Sequence, residues 1–430
     1  MIIQNVKGGY DYLPKEQRIR NYINDILKDT FERFGYQPIE TPILCYYDML
    51  AGKYDEANDI LKEIYRLRDQ GNRKLGLRYD LTVPFAKFIA LNKNVIKLPF
   101  KRYEINKVFR DGPVKVGRDR EFTQCDVDVV GLSGEYIDAE LICLYVDAFN
   151  KLKIPINIKY NSRKLMSGLI KEAGIDNEFI SSTITIVDKM DKLTNLELTN
   201  EFISIGLDNR QITKLLEYFK MDLKELTKYF KNTNNILLKE GLKEINSLTE
   251  YLKSLKLLKY VSFTPSLARG QDYYTGNVFE VYETSGKLTC AIGGGGRYDK
   301  MITEFINDGN TYPAIGISFG LTSIFTLLKD REDFINKSLI DIYIIPMDTK
   351  KESLKLANKL RELGYKVDIE MEDKKLKKSL DYCNKEKIPY VIVLGKDEVT
   401  NKSFKLKNMY NRKEYEIGMK DIKKIKEITK

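Results

Sequence analysis

The sequence predicts an α/β chain in two parts. An α+β core is built on an antiparallel sheet flanked by helices and carries a helical insertion; a smaller C-terminal α/β domain follows. Residues 100–131 hold a strand, a long basic loop and a second strand. Residues 161–258 are mostly helical in pattern and rich in Lys, Asn and Leu. After residue 339, apolar runs alternate with amphipathic helices, which implies a small independent α/β domain. The expected divisions are a core over 1–328, interrupted at about 161–258, a linker over 329–339 and a terminal domain over 340–430.

In chain order, residues 17–36 place Ile19, Ile23, Leu27, Phe31 and Phe34 at helical spacing, and Gly35 ends the run. Pro38 and Pro42 mark a loop running into an edge strand. Residues 81–92 read as a helix with Pro84 in its first turn. Residues 100–110 alternate polar and apolar, as a half-buried strand does, and 121–131 return as a second strand. Between them lies a loop with Gly112, Pro113 and Gly117. Residues 136–152 read as helix, 261–283 and 287–296 as strand, and 313–330 as a strand or turn entering a helix. In the last domain, strands at 339–347, 366–371 and 389–395 alternate with two helices.

Charge narrows the function. The chain has 72 Lys+Arg against 62 Asp+Glu, a net +10. Residues 341–430 hold 23 Lys+Arg and 16 Asp+Glu, a surplus of +7. Most of the excess therefore sits in one module, which suits a polyanionic partner. There is no histidine. The usual neutral-pH general base is missing, so any catalysis rests on carboxylates, lysine, tyrosine or electrostatic positioning. A zinc site is not expected, and five scattered cysteines suggest a reducing cytosol. No stretch approaches a membrane span and the N-terminus has no leader pattern, so a cytoplasmic protein is expected.

On the strand 121–131, Gln124, Asp126 and Asp128 share one face, while Thr123, Cys125, Val127 and Val129 share the other. Arg110 precedes this strand, and the loop adds Lys115, Arg118 and Arg120. A polar floor beside a cationic flap suits a small zwitterion next to a nucleotide phosphate. Arg–Tyr–Asp occurs twice, at 78–80 and 297–299. Arg269 and Asp272 flank Gly270 and lead into Tyr273 and Tyr274. Gly293, Gly294, Gly295 and Gly296 pack nothing and weaken a strand; close backbone approach to a flat or phosphate-bearing ligand explains them better.

These segments together resemble the histidyl-tRNA synthetases of class II, over essentially the full length and in the family's order. "KGGYDYLP" looks like the opening segment, and "FGYQPIETPIL" resembles motif 1, the dimer-interface element, with Pro42. "LRYDLT" resembles the amino-acid-binding segment, and residues 107–131 resemble motif 2. "LARGQDYYTG" is similar to the histidine-specific signature; "AIGGGGRYD" and "YPAIGISFGL" resemble the glycine-rich strand and motif 3. The terminal module looks like an anticodon-binding domain. Two departures stand out. Ser323 occupies the motif 3 arginine position, and Gln271 stands where the signature has leucine.

The resemblance implies a histidine–tRNA ligase that uses ATP, with Mg²⁺, to make histidyl-adenylate and charge tRNA(His), working as a homodimer through motif 1. Asp80, Thr82 and Gln124 would hold the substrate α-ammonium, with Leu81 in the same segment. Asp128 and Tyr274 would address the two imidazole nitrogens, with Tyr273 shaping the pocket. Arg110 and Arg269 would be the catalytic cations, gripping the reacting carboxylate and the α-phosphate. Arg118 would reach the outer phosphates, and Gly293–Gly296 would receive the adenosine. The alternative is a synthetase-like regulatory subunit of ATP phosphoribosyltransferase, which senses histidine without charging tRNA. That subunit generally lacks the anticodon module and erodes the signature, whereas this chain keeps both. A tRNA-binding protein without catalysis is a third reading.

Overall fold

The structure, a computed structural model, describes residues 3–52, 60–115, 117–269, 273–331, 338–372 and 374–429. Gly270, Gln271 and Asp272 of the signature, and most of the expected linker, lie outside the described residues. The chain divides into two compact units, Met1–Leu328 and Lys329–Lys430.

The first unit is organised by one eight-stranded sheet in the order β1–β5–β6–β11–β10–β9–β7–β8. The strands are β1 (Gln37–Pro38), β5 (Phe100–Phe109), β6 (Glu121–Val130), β7 (Ile156–Ser162), β8 (Val261–Phe263), β9 (Asn277–Glu283), β10 (Gly293–Arg297) and β11 (Ala314–Gly320). All pairings from β5 to β7 are antiparallel, and only the short edge strands β1 and β8 join in parallel. A run of helices from Arg163–Glu172 to Ile236–Ser254 lies between β7 and β8 in the chain.

Strand alternation splits the sheet into an apolar back and a polar front. Cys125, Val127, Val129, Ile315 and Phe319 are fully buried at the back. The Phe319 ring lies 5.5 Å from Phe31 on the Pro14–Arg33 helix and 5.4 Å from Phe149 on the Glu135–Lys151 helix. Burying each such side chain is worth roughly 1.5–3 kcal/mol. With two helices committed to the back, the front is left for a site.

The four glycines open the inner strand β10 (Gly293–Arg297), and at Gly295 the neighbouring strand is a cause beside the expected approach of a ligand. A Cβ on Gly295 would sit 2.1 Å from the Gly316 carbonyl oxygen of β11. The close approach that excludes a side chain is strand against strand.

A small antiparallel sheet, β2 (Leu44–Tyr46), β4 (Lys74–Leu77) and β3 (Arg66–Arg68), leaves Leu44, Tyr46 and Leu67 exposed.

The second unit has a five-stranded sheet, β13–β12–β14–β15–β16. Parallel β12 (Ile342–Pro346), β13 (Val367–Ile369) and β14 (Tyr390–Leu394) are connected by helices Lys350–Glu362 and Leu376–Lys385. A hairpin, β15 (Ser403–Asn408) and β16 (Glu414–Gly418), extends the sheet beyond the expected alternation. Its apolar positions Phe404, Leu406 and Ile417 join Ile342, Ile344 and Ile392 in the core.

Candidate active site on the polar sheet face

The front of the first unit's sheet bounds a cavity of about 840 Å³. Gln124, Asp126 and Asp128 of β6 and Ser318 of β11 form its floor. Asp80, Thr82, Arg110, Arg118, Arg269, Tyr273, Tyr274 and Gly293 to Gly295 also line it. Two expected residues are not brought to the lining. Leu81 is fully buried, with its carbonyl accepting from Arg102 Nη2 at 3.4 Å. Gly296 packs instead against Asn277 and Tyr274.

The two Arg–Tyr–Asp segments play one structural part twice. In each, the arginine is a buried bolt. Arg78 pairs with Glu104 at 3.0 Å and donates to the carbonyls of Thr41 and Lys107. Arg297 pairs with Asp138 at 2.6 Å and donates to the Gly134 carbonyl. In each, the tyrosine reaches the cavity: Tyr79 stacks on Arg110, and the Tyr298 hydroxyl donates to Asp128. In each, the aspartate sits near a helix start and accepts a backbone N–H, Asp80 that of Val83 in the Thr82–Asn92 helix and Asp299 that of Ala314 at the head of β11. Asp80 alone of the two aspartates also lines the cavity.

The floor is a buried ion network. Asp128 lies opposite Arg102 in the β5–β6 register and pairs with it at 2.5 Å. Burial raises the Asp128 carboxyl, while Arg102 and the Tyr298 hydroxyl pull it back. Gly316 lies beneath: a Cβ there would overlap Asp128 Oδ1. Gln124 Nε2 donates to Ser318 Oγ at 3.4 Å. A charge in such a site stays in place only with partners of this kind.

The cations form a wall. Arg110 follows β5, with its guanidinium 4.2 Å from the Tyr79 ring centre and 5.0 Å from that of Phe122. Its Nε donates to the Tyr79 carbonyl at 3.3 Å. Burial pushes the Tyr79 hydroxyl up to about 12, against the pull of Arg110, so the ring stays neutral under the cation. Arg118 sits in the flap, where its N–H and that of Lys115 bond reciprocally to each other's carbonyls. Arg269 is held by Glu280 of β9 at 2.6 Å, and Tyr282 donates to the same carboxylate. Ser323 is buried on the Leu321–Leu328 helix, its Oγ about 3.5 Å from where a Gly117 side chain would begin.

Sequence reasoning missed Tyr79, Arg102, Glu280 and Tyr298. Arg102 and Tyr298 were visible only as residues of a strand and of a repeated tripeptide. Their link to Asp128 needed the register. Among the described residues, no cluster of three or more Cys, Asp or Glu could hold a metal ion, and no helix is long and apolar enough to cross a membrane.

Comparison with known proteins gives a consistent result. Residues 8–324 match the profile described as histidyl-tRNA synthetase, and residues 341–428 that of the anticodon binding domain. The chain is 42% identical over 408 residues to histidine–tRNA ligase 2 of Shouchella clausii, covering 94% of this chain and 96% of that one. It is 43% identical over 425 residues to histidine–tRNA ligase 1 of Bacillus cereus, covering 98% and 97%. The crystal structure of histidyl-tRNA synthetase from a Nostoc species superposes with a TM-score of 0.85 at 26% identity, over the whole of both chains.

Proposed function

The chain belongs to the histidyl-tRNA synthetase family, and from that premise we propose how its cavity performs the ligase reaction. The activity is that of a histidine–tRNA ligase: L-histidine is activated with ATP and then joined to the 3′ end of tRNA(His). The observation that carries the residue assignments is the meeting, in one cavity, of the acidic floor of β6 with the arginines 110, 118 and 269.

Histidine would lie on the floor. Asp80 and Gln124 take its α-ammonium beside Thr82, and a carboxylate is the natural partner of a cation in a dry site. Asp128 and Tyr274 take opposite imidazole nitrogens, one accepting and one donating, and Tyr273 closes the pocket. The substrate carboxylate attacks the α-phosphorus of ATP and pyrophosphate leaves. No protein nucleophile is needed, which fits a chain without histidine. Arg110 and Arg269 stabilise the charge that develops on the carboxylate and phosphate oxygens. Its stack between Tyr79 and Phe122 keeps Arg110 aimed. Glu280 holds Arg269 at the cavity wall through Nη1 alone, and a guanidinium has further donors to offer the substrate. Arg118 takes the outer phosphates, and Gly293 to Gly295 leave room for adenosine. Mg²⁺ rests on the family resemblance alone and would arrive with the nucleotide.

The second unit would hold the anticodon stem through its basic surplus. Homodimerisation through the motif 1 region is supported by the exposed Leu44, Tyr46 and Leu67 of the small sheet. The compartment proposed for it is the cytoplasm, where tRNA, ATP and histidine meet. The regulatory-subunit alternative is not better supported, since the anticodon module is present and the relatives at 42–43% identity are ligases. Histidine-dependent ATP–pyrophosphate exchange tests the reading. Exchange with histidine and with no other amino acid is expected; its absence at saturating ATP overturns the reading.

A further inference from the structure

The cavity floor holds more negative charge than its own cations answer. Glu104 of β5 pairs with Arg78 at 3.0 Å, and Asp128 pairs with Arg102 at 2.5 Å. Asp126 stands between them on the same face, opposite Glu104 in one register and Ser318 in the other. It is 4% exposed and lines the cavity, and its Oδ1 has no hydrogen-bond partner. Among the described residues it has no ion-pair partner either. A buried carboxyl without a cation of its own resolves the cost of desolvation by keeping a proton.

The groups that face it set the balance. Arg102 and Glu104 face it from β5, Asp128 from its own strand, Arg78 and Asp80 from the segment before the Thr82–Asn92 helix. Tyr145, Tyr274 and Tyr298 complete the surroundings. Burial pushes the Asp126 carboxyl up to about 8; Arg102 opposes this, Asp128 adds to it, and the Ser318 hydroxyl opposes it. The tyrosines are neutral, and both arginines are engaged by other carboxylates.

We infer that Asp126 is a proton-linked positioning residue for the amino-acid substrate: it holds a proton in the empty site and releases it to solvent when the substrate's α-ammonium enters beside Gln124 and Asp80. The O–H bond breaks, the proton goes to buffer, and the carboxylate left behind faces the new cation. An added positive charge nearby favours the ionised carboxyl. This rests on the reading of the cavity as the histidine site. Histidine affinity then rises with pH up to about 8 and levels off, falling by up to about tenfold per unit below that.

Calorimetric titration of the full chain with L-histidine at pH 7.5, in phosphate and in Tris, reads the proton directly. More than about half a proton released per histidine is expected for the wild type. Asp126→Asn should release none, and Asp126→Glu should restore the release. A wild type without release, or an Asn variant releasing as much as the wild type, overturns the inference. If the Asn variant does not fold, wild-type affinity decides: a roughly five- to tenfold gain from pH 7.0 to 8.5 is expected, and a flat profile overturns the proposal. Histidine binding without proton release removes this inference alone. No histidine binding at all removes the amino-acid-site reading with it.

Discussion

Arg102 and Asp128 lie directly opposite each other across β5 and β6 and form an ion pair at 2.5 Å, with neither side chain more than 3% exposed. The carboxylate assigned to the imidazole is therefore not a free acceptor awaiting substrate. It is fixed from below by Arg102 and from the side by Tyr298. Removing Arg102 strands a buried charge. Arg102→Met should lower stability by about 3–5 kcal/mol in urea unfolding.

Asp128→Asn tests the other partner. It should raise the histidine KM at least tenfold and leave the ATP KM within about twofold, because sites built to pair a substrate NH lose discrimination when the pair is broken. Pyrophosphate exchange with both substrates varied separates the two constants. An unchanged histidine KM removes Asp128 from the specificity role.

Arg110 should carry transition-state stabilisation. Arg110→Ala should reduce kcat for exchange by about 10²–10³. Arg110→Lys should recover little, since a lysine cannot reproduce a planar stack between Tyr79 and Phe122 or a bidentate grip. Full recovery by lysine would mean that only charge matters there.

Ser323 sits next to the cavity-lining Gly117 and Gly320. Ser323→Arg should lower the ATP KM if the new cation meets phosphate, at a packing cost of about 1–3 kcal/mol. An unchanged ATP KM with a lowered melting temperature would show that the helix does not aim this position at ATP.

Asp126 should cost stability in return for function. Its native carboxyl is raised to about 8 from 3.8, chiefly by burial. Between those values the native state keeps a proton that the unfolded chain has lost, so stability falls as pH rises through the window and the loss is complete above about 8. Asp126→Asn should be neutral near pH 4 and stabilising at pH 8, with a ceiling of about 6 kcal/mol. Melting curves across that range check the sign.

The second unit has its own apolar core. Deleting residues 340–430 should spare histidine-dependent exchange and cripple tRNA charging. Charging by the full chain should fall steeply with salt, as phosphate contacts do. Normal charging by the truncated chain would give the module another task.

By itself the sequence determined the two-part organisation, most strands and helices, and the shared polar face of Gln124, Asp126 and Asp128. Each depends on local periodicity: a period of two fixes which residues share a strand face, and 3.6 fixes a helix stripe. Family motifs in order then pointed to the chemistry of Asp80, Arg110 and Arg269. Only the tertiary structure decided that Gly295 is excluded from bearing a side chain by β11, that Asp128 is met by Arg102, and that Arg269 rests on Glu280. It also revealed one pattern in the two Arg–Tyr–Asp segments: a buried bolt, a ring at the cavity and an anchor near a helix start. These facts depend on which strands pair and in what register. Pairing brings together residues far apart in the chain, Arg269 and Glu280 by 11 positions and Tyr298 and Asp128 by 170. Local periodicity carries no information about contacts at that separation.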